Sequence, residues 1–201
     1  MLRRERRAAS WRTLIGGAFA LLLLAGGVAR ADAPANSPYA PYRFLIGTWD
    51  VVPEAGGAPM ARALFRWGPN HSYIWYSGSL LVKGMEVPHF EGLLLWNGVR
   101  KNLDMLLALD LDGGRVQEQG VVSIEADGTV VRHITAFYSE GEQPIGQPVA
   151  GAGGAKARFR QTFQAAGPDR IRTTVMRELG KGWVATFPGS DHLVMIRRSK
   201  A

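Results

Sequence analysis

Residues 61–78 run Ala61-Arg62-Ala63-Leu64-Phe65-Arg66-Trp67, then Gly68-Pro69-Asn70, then His71-Ser72-Tyr73-Ile74-Trp75-Tyr76-Ser77-Gly78. In the first arm Ala61, Ala63, Phe65 and Trp67 alternate with Arg62, Leu64 and Arg66; in the second His71, Tyr73 and Trp75 alternate with Ser72, Ile74 and Tyr76. Side chains return to one face every second residue only in an extended chain, so both arms predict strands. Gly68-Pro69-Asn70 supplies the unusual and fixed φ values that a reversal requires, and the two arms form a hairpin.

The same rhythm continues on both sides. Phe44–Val52, Phe90–Trp96, Leu103–Leu111, Val116–Ile124, Thr129–Tyr138, Ala157–Ala165, Arg170–Leu179, Trp183–Phe187 and His192–Arg198 are further strand candidates. Asn97-Gly98, Asp112-Gly113-Gly114, Asp127-Gly128 and Gly167-Pro168-Asp169 turn the chain between several of them. The leucines of Leu103–Leu111 also fit a helical period, but the turns flanking them favour a strand. These are about eleven candidates, of which nine or ten are expected to pair. Sequential hairpins without helical crossovers give an antiparallel meander, and closing it removes the exposed edges of so many strands. The expectation is an all-β protein, an antiparallel up-and-down β-barrel of about nine or ten strands over residues 42–201, with a sandwich as the alternative. Gly141 to Ala155 (GEQPIGQPVAGAGGA) breaks the rhythm and reads as a disordered loop, with a lid at the barrel mouth as the second reading.

The chain has 201 residues and a formal charge of +7, which by itself would suggest nucleic acid. Its distribution argues otherwise. Six of the 24 basic and one of the 17 acidic residues fall in residues 1–31, leaving a nearly balanced 18 against 16 for the rest. That segment has an Arg-rich start, an apolar run from Thr13 to Val28 and a small-x-small site at Ala29-Arg30-Ala31, the three parts of a secretory signal peptide. The run is short for a membrane span, so no stable span is expected after cleavage, and the address is the periplasm or beyond. Residues 32–41 (DAPANSPYAP) read as a flexible lead-in. The absence of cysteine excludes a disulfide framework and a cysteine-rich zinc site.

Phe44-Leu45-Ile46-Gly47-Thr48-Trp49 stands where the first strand should begin. Its Gly-x-Trp resembles the opening of the calycin barrels, the lipocalin-like and fatty-acid-binding-like proteins. That resemblance implies a structural role for Gly47 and Trp49, with the Trp packed under a basic side chain of the last strand, Arg197 or Arg198. In layout, residues 42–198 are similar to the small bacterial lipocalin-like domains grouped as DUF1579, a family of unknown function. The resemblance implies a barrel with an internal cavity and supplies no activity. The haem-binding nitrobindin barrels also open on Gly-x-Trp and carry a His near their last strand. His192 stands at a comparable place, and by that resemblance it would be the axial ligand if haem were bound. Asp50-Val51-Val52-Pro53 departs from the glycine-rich continuation of that family.

The expected partner is therefore a small apolar or amphipathic molecule. Trp67, Tyr73, Trp75, Phe90, Trp96 and Phe137 are the candidate aromatic walls, with methionines as adaptable filling. Arg132 with His133, and Arg160 with Arg172, are the candidates for binding a carboxylate or phosphate head. No Gly-x-Ser-x-Gly elbow or phosphate-binding loop is present, and the four His are dispersed without metal-ligand spacing. No catalytic residue is assigned and no cofactor other than haem is considered. A barrel enzyme with polar residues converging in the cavity is the competing reading.

Overall fold

The computed structural model describes residues 34–111, 114–138 and 156–199. The segment 1–31 expected as a signal peptide and the Gly/Pro-rich stretch 141–155 expected as a disordered loop or lid lie outside the described residues. Eleven strands follow in chain order: β1 (Gly47–Pro53), β2 (Ala61–Trp67), β3 (Ile74–Val82), β4 (Met85–Asn97), β5 (Asn102–Leu111), β6 (Gly114–Ile124), β7 (Val130–Tyr138), β8 (Lys156–Ala165), β9 (Arg170–Leu179), β10 (Gly182–Ala185) and β11 (Leu193–Arg197). Each of β1 to β9 pairs antiparallel with the next. β11 then lies between β9 and β1, so ten strands close on themselves. The short β10 pairs only with the far half of β9, across Gly182↔Leu179 to Ala185↔Met176, while β11 takes the near half from Leu193↔Thr173 to Ile196↔Arg170. The all-β barrel expected from the period-two pattern is the fold, and Leu103–Leu111 lies within a strand.

Two local features depart from the pattern reading. β3 and β4 are longer than expected and meet at Lys83-Gly84, where both φ are positive (49° and 80°). A two-residue reversal of this kind matches the right-handed twist of the strands it joins. The phase of the hairpin's second arm is also reversed. Trp67 pairs with Ile74 and Phe65 with Tyr76, so Ile74 and Tyr76 face inward and Trp75 faces out. The arm carries bulky residues at nearly every position, so its alternation did not reveal which face is buried. The short 3₁₀ turn Pro69–His71 sets the phase.

One end of the barrel is closed. Ala40–Leu45 forms a 3₁₀ turn that buries Tyr42 and Leu45. Within the stretch expected as a flexible lead-in, Tyr39 is anchored: it is only 4% exposed, and its hydroxyl donates to Ser72 O at 2.7 Å and accepts from the Trp96 N–H at 2.8 Å. A hydroxyl that satisfies two backbone groups at once fixes the chain that carries it. Beneath this plug lie Phe65, Ile74, Leu94, Leu103, Val122, Val130, Phe163 and Ile171, all essentially buried. Burying each such side chain contributes roughly 1.5–3 kcal/mol, which makes this half of the barrel its packed core.

Trp49, fully buried, ties the plug to the seam where β1 meets β11. Its indole Nε1–H donates to Leu45 O at 2.7 Å, and the Arg197 guanidinium lies over its ring, 4.1 Å from the centroid. Arg197 also donates to Ile46 O at 2.7 Å and Phe44 O at 3.3 Å, and pairs with Asp169 at 2.9 Å. Gly47 explains itself in this setting. Its φ is +150°, and a Cβ there would sit 2.3 Å from Arg197 Nη1. Gly-x-Trp is thus the footprint of a guanidinium passing between glycine and indole.

Candidate ligand cavity

Towards the opposite end the inner face thins to small residues, Ala61 and Ala63 on β2 and Gly78 on β3, and the side chains no longer fill the interior. A cavity of about 430 Å³ remains. Its apolar walls include Ala63, Phe90, Ile134, Phe159, Leu193 and Met195, contributed by the five strands β2, β4, β7, β8 and β11. Phe90 meets Tyr76 edge to face at 4.7 Å, and Tyr76 stacks on Phe65 at 4.1 Å, so the cavity wall runs directly into the packed core.

A polar cluster is set into this wall. Arg132 on β7 is 3% exposed. Its Nε donates to Met105 Sδ at 3.0 Å, one terminal nitrogen donates to Gln161 Oε1, and the other lies 3.5 Å from Glu118 Oε2. Its flat face covers the Tyr76 ring at 4.8 Å. Glu118 is 14% exposed; loss of water pushes its carboxyl pKa up, and the neighbouring Arg132 charge only partly offsets that. Burial likewise pushes the Tyr76 hydroxyl up, against the pull of Arg132. The cluster carries one cation beside one carboxyl group, so the cavity wall holds strong dipoles without a large net charge.

Two further polar groups face the cavity. Thr173 on β9 and Thr186, just after β10, are 2% and 7% exposed, and neither Oγ1 has a hydrogen-bond partner. Thr186 is held by its backbone N–H, which donates to Val175 O at 3.1 Å, a carbonyl that also accepts from the Ser190 hydroxyl at 2.7 Å.

Of the residues expected to bind ligand, Phe90 and Arg132 line the cavity. Trp67 and Trp96 pack against the core instead, with Trp67 edge-on to Tyr39 at 6.1 Å. The Tyr73 ring lies against Gly68, and Trp75 stands on the outer face under Arg66 at 5.2 Å. His133 and Phe137 are exposed. Arg160 and Arg172 are also on the outer face, paired with Glu125 at 2.8 Å and Glu54 at 3.3 Å beside a shallow polar groove. The reason is the strand period itself. With Arg132, Gln161 and Thr173 turned inward, their neighbours His133, Arg160 and Arg172 must turn outward.

His192 does not reach the cavity. It is 73% exposed, with Nδ1 3.9 Å from Glu54 and Nε2 3.6 Å from Asp191. A haem held by this imidazole would lie on the carboxylate-lined outer rim rather than among apolar walls, so these residues do not fit the group. Tyr76, Glu118, Gln161, Thr173 and Thr186 escaped the sequence reading. Glu118 and Gln161 could have been found from the parity of Arg132 across β6, β7 and β8, given the register.

Comparison with protein-family models and with curated proteins gave no match. No helix among the described residues is long and apolar enough to cross a membrane.

Proposed function

We propose that this protein is an exported barrel that binds a small apolar or amphipathic molecule without covalent chemistry. The observation that carries the reading is the cavity of about 430 Å³, apolar on most of its wall and furnished with a compact polar cluster. Pockets of this size and make-up bury a small ligand while a few fixed polar groups orient it. The packed core below and the Trp49–Arg197 clamp supply the rigid frame that such a pocket needs. The Arg-rich, apolar, small-x-small order of residues 1–31 supports export to the periplasm or beyond. Phe44-Leu45-Ile46-Gly47-Thr48-Trp49 supports grouping the chain with the lipocalin-like DUF1579 barrels.

Native mass spectrometry of the protein isolated from the periplasm of its producing cell tests this reading. The expected result is a lipid-sized adduct that is lost on organic extraction and restored by incubation with a panel of amphiphiles. A bare mass before and after the panel, with no change in thermal stability, would overturn the binding function. Recovery of the full precursor from the cytoplasm would overturn export.

A further inference from the structure

We propose that the molecule the cavity takes is an uncharged amphiphile, its hydroxyl or carbonyl oxygen held by Thr173 Oγ1 and Thr186 Oγ1. This inference rests on the binding function above and specifies its ligand. Arg132 looks at first like the anchor for an anionic head, but each of its three nitrogens already has a partner: Nε has Met105, and the terminal nitrogens have Gln161 and Glu118. Its face is covered by Tyr76. A carboxylate or phosphate entering here would have to lie beside the carboxyl of Glu118, and two acidic groups at one site cannot both ionise without repulsion. The cavity's cation thus has its counter-ion built in.

The two threonines are the opposite case. Each is more than nine-tenths buried, each lines the cavity, and each hydroxyl lacks a partner within the protein. They share one stretch of wall. Thr173 and Val175 alternate along β9, and Thr186 is hydrogen-bonded through its backbone to Val175. A buried hydroxyl left without a partner costs stability, and an occupant that brings an oxygen against it removes that cost. A purely apolar occupant would strand both groups. An alcohol or a ketone answers them, because a threonine hydroxyl both donates and accepts.

The test compares dodecan-1-ol, dodecanoic acid and dodecane on the whole mature protein by competitive native mass spectrometry at neutral pH. The alcohol is expected to bind at least tenfold more tightly than the acid. Thr173→Val and Thr186→Val keep the side-chain shape, and each is expected to weaken the alcohol roughly fivefold, the worth of one hydrogen bond, while leaving dodecane unweakened. Thr173→Ser and Thr186→Ser should retain most of the alcohol affinity. Acid binding as tightly as alcohol, or valine variants that bind alcohol like the wild type, would overturn the threonine assignment and leave the binding function standing. Failure of all three probes to bind would overturn the binding function itself.

Discussion

Gly47→Ala tests the clamp at the barrel seam. An alanine Cβ there would sit 2.3 Å from Arg197 Nη1, at a backbone φ of +150° that side chains rarely adopt. Backbone strain of this kind costs about 1–3 kcal/mol. Moving the guanidinium aside forfeits its position over Trp49, worth about 1 kcal/mol at a partly exposed site, and its hydrogen bond to Ile46 O, about 1.5–3 kcal/mol for a charged donor. Arg197 is long enough to keep some of these contacts, so the expected loss is about 3–5 kcal/mol. For a domain of this size that lowers Tm by roughly 6–20 °C. Urea unfolding followed by tryptophan fluorescence, on Gly47→Ala, Arg197→Met and the double variant, measures it. If the clash is the mechanism, Gly47→Ala costs markedly less in the Arg197→Met background, where only backbone strain remains. Additive losses, or a single-variant loss below about 1 kcal/mol, would refute the reasoning.

The polar cluster and the plug give further expectations. Glu118→Ala leaves the Arg132 guanidinium buried without its counter-ion and should cost about 3–5 kcal/mol in urea unfolding, whereas Arg132→Met should cost less because Glu118 can take up a proton. Because burial raises the Glu118 pKa, the folded state holds its proton more tightly than the unfolded state. That contribution to stability is complete below the ordinary value of 4.5 and is lost as pH rises through the raised value, so Glu118→Gln should flatten the decline in Tm over that window. Tyr39→Phe strands the Ser72 carbonyl and the Trp96 N–H, and a loss of about 2 kcal/mol is expected by the same unfolding assay. Burial pushes the Tyr42 hydroxyl up to about 12, so Tyr42→Phe should remove one phenolate equivalent from the late part of the absorbance change in an alkaline titration.

The period-two arms around Gly68-Pro69-Asn70 made the barrel legible, because alternation is a local property that the sequence displays directly. Trp49 under Arg197 was legible for a different reason: Gly-x-Trp is short, and the glycine is required by what passes over it. The cavity was much less so. Which face of a strand points inward depends on register, and register depends on turn geometry. In the second arm of the first hairpin, a 3₁₀ turn exchanged Trp75 for Tyr76 on the inner face. Polar residues at cavity positions carry no compositional mark either. Glu118, Gln161, Thr173 and Thr186 look like ordinary solvent-facing residues until the ring of strands closes around them. The anchoring of Tyr39 was hidden for a related reason, since its partners lie 33 and 57 residues further along the chain.

The seam between β1 and β11 also governs the order in which the molecule can be assembled. Trp49 faces Arg197 across it, so the first strand waits for the last before the ring can shut. Contacts between such distant parts of a chain form slowly, because the loop entropy is spent before the pairing returns it. Until then β1 and β9 expose raw edges of their own barrel, each already shaped to receive β11. At high concentration the β11 of a neighbouring molecule fills either edge, so this protein's characteristic misassembly should be exchange of β11 between copies, and truncation before Leu193, which removes the donated strand, should abolish it.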